Sequence, residues 1–199
     1  MNLGEQFNRF LGKTRIVVSR IFIHLQGKEV TPLLGILNQV ARDAIAQEGD
    51  LEVLGEGLVK ICQNLLQLRD YWQSAANEGD VFWDELEAED YVNELFTDSA
   101  QRYLSEIDLS QACSEEELLS LSPTNNLVVM LVVAFEGEAE DIETNLAERE
   151  ALERALKTLV NLHYSGRLRA IQIHFSPAQL GDQLTDEQLL INFPELIPL

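Results

Sequence analysis

Three stretches of the chain carry apolar residues in the pattern of β-strands. Residues 16–25 are rich in β-branched side chains and place Ile21, Ile23 and Leu25 at alternate positions. Residues 127–135 are apolar throughout, which is typical of an interior strand covered on both faces. Residues 168–175 alternate apolar and polar positions, which predicts a third strand with one polar face.

Apolar residues at helical spacing predict four long helices. Thr31-Pro32 supplies a cap and a proline at the first helical position, and Gly49-Asp50 ends that helix and begins the next. The apolar stripe of this second helix runs on to residue 72. A third helical region is predicted over residues 82–103 and a fourth helix over residues 144–163.

Two capping boxes predict shorter helices. Residues 114–117 form one of them, in a segment that otherwise reads as a connector between residues 105 and 124. Residues 185–188 form the other, at the start of a helix near the end of the sequence.

The order of the C-terminal elements predicts a strand–helix–strand crossover over residues 127–175. A helix over residues 144–163 spans about 30 Å, enough to return the chain so that the second and third strands run parallel. We therefore expect an α+β fold with a small mixed three-stranded sheet, its second strand in the middle, covered by a mainly helical N-terminal half. No internal repeat or low-complexity linker divides residues 16–199, which are predicted to form one domain.

A basic amphipathic leader precedes this domain, at residues 1–15. Residues 1–30 hold five basic and two acidic side chains, a local charge of +3. The leader is interpreted as a helix docked on its own domain, as a frayed terminus, or as a segment for weak, salt-sensitive contact with a membrane surface or a partner. The side chains on which that second interpretation depends are Leu3, Phe7, Arg9, Phe10 and Lys13.

The body of the chain is strongly acidic. Its 34 Asp and Glu against 14 Lys and Arg give a net charge of −20, which argues against nucleic acid as a partner. Residues 78–98 contain nine carboxylates and neither Lys nor Arg, so they predict a solvated helix face or a docking surface for a basic protein. Phe82 in a ligand position rules out an EF-hand there. The predicted interaction surface consists of Asp80, Trp83, Asp84, Glu87 and Asp90.

The histidines offer one alternative, a small metal- or ligand-dependent enzyme. His24 and His174 both lie on predicted strands, and Glu136 follows the central strand, so the three side chains could meet if the strands share a face. No His-x-His or His-x-x-x-His spacing supports a metal, and His163 is interpreted as a helix C-terminal residue. No phosphate loop, dinucleotide fingerprint or nucleophile elbow is present, so no cofactor and no catalytic residue are predicted.

The cysteines and the apolar runs bear on location. Cys62 and Cys113 are too few and too far apart for a disulfide framework or a zinc-ligand pattern, and are predicted to be free thiols in a reducing cytoplasm. The longest apolar run, residues 127–135, is about half of what a membrane-spanning helix needs. No secretory signal is apparent at the N-terminus.

Residues 125–199 resemble the family named domain of unknown function 1517, found in cyanobacteria and plastids. The resemblance begins with an apolar strand that ends in Ala134-Phe135-Glu136-Gly137 and a later strand that ends at Ser176-Pro177. It continues with the run Gly181-Asp182-Gln183-Leu184-Thr185 and the helix after it, and it ends with a segment that begins at Phe193-Pro194. Phe135 interrupts the family's Ala-Glu-Gly, and His174-Phe175 stands where the family strand usually ends in Leu-Trp.

The resemblance implies a photosynthetic cell but no activity. We therefore predict a non-enzymatic binding or regulatory protein that acts through protein–protein contacts, in the cytoplasm or peripheral to a photosynthetic membrane. The sequence leaves its oligomeric state open.

Overall fold

The computed structural model describes residues 12–104, 126–178 and 182–199. Most of the predicted leader (Leu3, Phe7, Arg9 and Phe10), Cys113 and the capping box at residues 114–117 lie outside the described residues. Lys13, the last member of the predicted leader surface, is exposed.

Five strands and five α-helices run through the described part of the chain, joined in two places by a single 3-10 turn. In chain order they are β1 (Ile16–Gln26), α1 (Thr31–Ala46), α2 (Leu51–Gln67), β2 (Trp72–Phe82), α3 (Glu85–Leu104), β3 (Asn126–Glu136), α4 (Arg149–Tyr164), β4 (Leu168–Ser176), α5 (Asp186–Asn192) and β5 (Ile197–Pro198).

The strands form one antiparallel sheet in the order β4-β3-β1-β2-β5. The α+β class is confirmed, and β1, β3 and β4 lie where the apolar patterns predicted them. The prediction of a mixed three-stranded sheet is wrong, since the described sheet has two more strands and no parallel pair. β3 is an interior strand, while β1 takes the centre of the five.

Of the two strands that were not predicted from the sequence, β2 is the longer, since β5 has only two residues. β2 contains Asn77, Glu78, Gly79 and Asp80, residue types that are depleted in strands, and residues 78–80 are exposed. Its position depends instead on its neighbour β1, against which it packs so closely that a Cβ at position 79 would lie 2.4 Å from the carbonyl oxygen of Val18. Glycine is needed there for the approach of the two backbones.

The parallel crossover was predicted because the helix was placed too early. α4 begins at Arg149, after an irregular segment that runs back along the sheet until the backbone nitrogen of Leu146 donates to Asn77 Oδ1 at 2.9 Å. α4 then returns the chain to the end where β3 finished, and Leu168 pairs with Phe135. β4 is therefore antiparallel to β3.

Three predicted helix starts are confirmed, but the predicted Thr31 cap is wrong. Thr31 is the first residue of α1, and the N-cap is Val30, which makes no side-chain cap hydrogen bond. Pro32 lies in the first turn of α1, and Asp50 caps α2 by accepting from the backbone nitrogens of residues 52 and 53. Thr185 and Gln188 form both halves of the capping box of α5.

The side of the sheet covered by α1, α2 and α4, here called the front face, is an aliphatic core. The strands contribute alternate residues, such as Ile21 and Ile23 of β1 and Leu131 and Val133 of β3, all fully buried. Cys62 of α2 is buried in the same core, where burial raises the pKa of its thiol to about 12.

The opposite side, here called the back face, is covered by α3 and by the C-terminal segment around α5. Aliphatic residues of the back face pack against α3, while Phe22 and Met130 pack against Leu184 and Phe193. None of the helices in the described ranges is long and apolar enough to cross a membrane.

Candidate functional site

A cleft of about 540 Å³ opens on the back face, between the first half of α3 and the ends of β1, β3 and β4. Its floor contains Ile16 together with Ala134 and Ala170, which are paired on adjacent strands. Ala88 faces this floor from α3. Ala88, Ala134 and Ala170 are all small, and the cleft opens beside the contact between Ala88 and the sheet.

The walls of the cleft are acidic and aromatic. Trp83 lies in the short connection from β2 to α3 and is half-buried against the cleft. Glu85 and Glu89 follow at i, i+4 on α3, and neither carboxylate has a hydrogen-bond or ion-pair partner among the described residues. At the far rim, Arg169 Nε donates to Glu136 Oε1 at 2.8 Å, so the basic group of the lining is already paired.

The predicted interaction surface only partly coincides with this cleft. Of its five members, Trp83 lines the cleft, whereas Asp80, Asp84, Glu87 and Asp90 are exposed outside it. Asp84 caps α3, with Oδ1 accepting from the backbone nitrogens of residues 86 and 87 at 3.0 and 3.3 Å.

Glu87 and Asp90 lie on the solvent side of α3. Each helical residue turns by about 100°, so Glu87 is roughly opposite Glu85 on the helix. The carboxylates that line the cleft are thus Glu85 and Glu89, which the sequence showed only as two members of an acidic run.

A second polar group on the back face holds α3 to the sheet. Arg20 of β1 is only 3% exposed. Its guanidinium donates to Glu78 Oε1 at 2.8 Å, to Ser99 Oγ at 3.0 Å and to a carboxylate oxygen of Asp98. It also lies 4.8 Å from the centre of the Phe22 ring. This network could not be predicted from the sequence, since its members are far apart along the chain.

Arg102 extends the network to the C-terminal segment. Its Nε donates to Asp98 Oδ2 at 2.9 Å, and its Nη1 donates to the carbonyl oxygen of Asn192 at 2.9 Å and to Glu195. Burial raises the pKa of Asp98, but hydrogen bonds and positive charge from Arg20 and Arg102 outweigh it and hold that pKa below its ordinary value.

Part of the predicted basic charge near the N-terminus is neutralised by such pairs. Arg15 forms an ion pair with Glu143 and donates to the carbonyl oxygen of Gly137, and Arg20 is paired as described above. The excess of positive charge counted over residues 1–30 is therefore not available as a whole to a membrane or a partner.

His24 is part of a buried hydrogen-bond chain. Its Nδ1 lies 3.1 Å from Ser74 Oγ, and its Nε2 lies 3.1 Å from Asn126 Oδ1. Asn126 in turn donates to the carbonyl oxygen of Leu184 at 3.0 Å. Burial lowers the pKa of His24, against smaller opposing effects from Asn126 and the charge of Asp186. This neutral histidine links β1, β2, β3 and the segment that leads into α5.

His174 packs under α3, with its ring centre 5.3 Å from that of Phe96. Burial, followed by the positive charge of Arg20, lowers the pKa of His174. Its buried Nδ1 has no hydrogen-bond partner among the described residues.

The structure does not bring His24, His174 and Glu136 into one site. His24 of β1 pairs with Val128 of β3, and His174 of β4 pairs with Met130 of β3. The two histidines therefore lie on opposite sides of β3. This separates them by two strand spacings, about 10 Å sideways. Glu136 lies eight positions along β3 from Val128, about 26 Å away along the strand.

Side chains of metal-ligand type do meet elsewhere, on the front side of the molecule. Glu52 and Glu56 of α2 and His163 of α4 each offer one ligand atom, and these atoms all lie within 4.8 Å of one another. His163 is in the last turn of its helix, as predicted, but the two glutamates more than 100 residues earlier carried no signal in the sequence.

Residues 15–199 match the family described as "Protein of unknown function (DUF1517)". No curated protein and no solved structure matches this chain.

Proposed function

The chain belongs to the DUF1517 family, and since that family has no assigned activity, we propose a function from the cleft: a non-enzymatic module that binds a basic, amphipathic segment of a partner protein. The observation that carries this proposal is the juxtaposition of an apolar floor with unpaired carboxylates. Three carboxylates and one guanidinium line the cleft, and that guanidinium is paired with Glu136.

The spacing of the acidic groups fits a segment rather than a single ion. Glu85 and Glu89 are one helical turn apart, about 5 to 6 Å between their Cβ atoms, so each can meet a different Lys or Arg of a bound segment. Trp83 lines the same cleft, and an indole ring can bind the stem or the charge of such a side chain. Below them, the half-buried Ala170 offers apolar area beside the buried Ile16 and Ala134.

The absence of catalysis is part of the proposal. The three residues of the enzyme hypothesis, His24, His174 and Glu136, lie too far apart to share a substrate atom. His24 is also fully engaged in hydrogen bonds that join strands. These points favour a structural role for His24 and His174.

Trp83 provides a direct test of cleft binding. The chain has two tryptophans, and Trp72 is fully buried with its Nε1 donating to the carbonyl oxygen of Leu65 at 3.1 Å. A Lys/Leu amphipathic peptide titrated into the protein at low salt should change the fluorescence of Trp83, and Trp83→Phe should abolish the change. Anisotropy of the labelled peptide measures the affinity independently.

A matched pair of variants on α3 locates the site. Glu85→Gln/Glu89→Gln should weaken peptide binding by about tenfold, because two exposed charge pairs of up to about 1 kcal/mol each are lost. Glu87→Gln/Asp90→Asn removes the same charge from the solvent side of the helix and should leave binding nearly unchanged. Equal losses of peptide affinity in the two variants would show general attraction to an acidic protein and would contradict the proposal.

Two further outcomes oppose the proposal. A peptide in which Glu replaces Lys should not bind, and its binding would remove the electrostatic argument. Spermine is a small polycation without apolar surface. If spermine bound as tightly as the peptide, the apolar floor would have no part in recognition.

A further inference from the structure

The junction of α2 and α4 carries a second, independent group of side chains that suits a ligand. His163 Nε2 lies 3.2 Å from Glu56 Oε1 and 4.0 Å from Glu52 Oε1. Glu52 and Glu56 occupy successive turns at the start of α2, and His163 lies in the last turn of α4. We propose that these three residues form a site for a first-row divalent cation, of which Zn²⁺ is the representative.

The imidazole is fixed in place by the helix beneath it. The side chain of His163 is only 7% exposed, and a Cβ at position 55 would lie 2.1 Å from its Nδ1. Gly55 is therefore the residue that lets the ring lie on the backbone of α2. Glycine is a poorer helix former than alanine, so α2 has a less favourable helix residue at the position where the ring needs space.

The buried ring directs one nitrogen outwards. With Nδ1 against Gly55, Nε2 faces the two carboxylates, which are 80% and 60% exposed for Glu52 and Glu56. A rigid imidazole beside two mobile carboxylates can adjust to an ion without moving either helix. In a tetrahedral zinc site with bonds of about 2.0 to 2.1 Å, the ligand atoms lie about 3.4 Å apart. The distance from His163 Nε2 to Glu56 is already close to this value.

The chemistry of the ligands selects the class of ion. Imidazole nitrogen with carboxylate oxygen suits Zn²⁺ and other first-row metals, whereas Mg²⁺ and Ca²⁺ prefer oxygen ligands alone. Three protein ligands leave the remaining coordination position to water. The ion would also offset the repulsion between two like charges at i, i+4 in a chain of net charge −20.

The consequence of binding is a link between two helices of the front face. Because the ion is held by the folded arrangement, it stabilises the protein by mass action. At a hundredfold excess over Kd, the Tm of the full chain should rise by about 5 to 10 °C.

The test begins with the full chain stripped by a chelator. Zn²⁺ should bind at one ion per chain by calorimetry, whereas Mg²⁺ should bind much more weakly. Long-range ¹H–¹⁵N spectra of the imidazoles should show one of the three histidines shifting with Zn²⁺, and the shifting ring should be His163. A shift confined to His24 or His174, or equal binding of Mg²⁺, would overturn the assignment.

Variants separate the site from general acidity. Glu52→Gln/Glu56→Gln alters exposed side chains and keeps the fold, and it should lower the Zn²⁺ affinity about tenfold or more. Glu85→Gln/Glu89→Gln removes a similar i, i+4 pair that has no imidazole and should keep the affinity. His163→Gln removes the imidazole ligand and should abolish Zn²⁺ binding. Unchanged Zn²⁺ binding in the Glu52→Gln/Glu56→Gln protein would show that these residues are not the ligands.

Discussion

The front and back faces of the sheet are made by the same strands, yet they differ in the side chains that they bury and in how closely the helices cover them. On the front face, residues such as Ile21 and Leu131 are buried under three helices in an aliphatic core. On the back face, the alternate positions of the same strands include Arg20, His24 and His174, and the helix above them leaves a cleft. The comparison teaches that the front face is a continuous aliphatic core, whereas the back face combines buried polar side chains with open space.

Two neighbouring valines on β3 give the most direct measure of this difference. Val133 faces the front core and Val132 faces α3, and both are almost completely buried. Val133→Ala should lower the free energy of unfolding by about 2 to 3 kcal/mol, because three packed helices cannot close the cavity. Val132→Ala should lower it by about 1 to 2 kcal/mol, because α3 lies beside an open cleft and can move to fill part of the cavity. Urea denaturation of both variants checks the order, and equal losses would contradict it.

The polar network of the back face can be broken at its centre. Arg20→Met keeps most of the buried stem but removes the hydrogen bonds to Glu78, Asp98 and Ser99. The side chains of Glu78 and Asp98 are 44% and 43% exposed and can regain water, so we expect a loss of about 1 to 2 kcal/mol rather than the larger cost of an isolated buried charge.

Hydrogen exchange should show where that loss falls. Amides of α3 should exchange faster in Arg20→Met, while those of α2 and α4 keep their protection. Arg154→Met provides the control, because its exposed pair with Asp141 is worth little. Uniformly faster exchange over both faces would mean that Arg20 supports the whole domain and not α3 in particular.

How much could be predicted from the sequence follows the same division. The front face was largely predictable, because apolar periodicity in β1, β3 and the helices is a local signal. β2 was missed because Asn77 and Gly79 are poor strand formers, placed by packing against β1. The direction of β4 depended on where α4 begins, a boundary that periodicity locates poorly.

The candidate sites were predictable only in part. Trp83, one of the residues named from the sequence, lines the cleft, but Glu85 and Glu89 could not be told from Glu87 without knowing which side of the helix faces the sheet. Arg20 was counted as part of a basic N-terminal segment, although its partners lie 58 and 78 residues away. Such pairs depend on tertiary structure, and a single sequence contains no local trace of them.

A pH titration provides a smaller and more selective test of the back face. Because the pKa of folded Asp98 lies below the ordinary value of 3.8, its ionised form contributes stability at higher pH. As pH falls below that ordinary value, the unfolded chain takes up the proton first, and this contribution is lost as pH passes through the folded pKa. Asp98→Asn should thus lose less stability than the natural chain between about pH 5 and pH 2.

The measurement is the free energy of unfolding by urea as a function of pH for both proteins. The histidines with lowered pKa also make the protein less stable in acid, from about pH 6.5 downwards, but they are common to both chains. The difference between the two curves therefore isolates Asp98. Parallel curves down to pH 2 would show that Arg20 and Arg102 do not favour its charged form.

The smallest expected effect comes from filling the cleft. Ala155 of α4 is fully buried in the front core, whereas Ala170 of β4 lines the cleft of the back face. Ala155→Leu should cost about 1 to 3 kcal/mol through overpacking. Ala170→Leu has about 540 Å³ of open space beside it and should change stability by less than about 0.5 kcal/mol.

The same Ala170→Leu variant connects packing with function, because the added side chain occupies the floor that a bound segment would cover. We expect Ala170→Leu to remain stable and to lose the change in Trp83 fluorescence on addition of the Lys/Leu peptide. That result would show that the cleft is open and that the peptide binds in it. If this substitution instead cost as much stability as Ala155→Leu, the back face would be as tightly packed as the front. The contrast between the faces would then lie only in their polarity, and the cleft would be too closed to accept a partner.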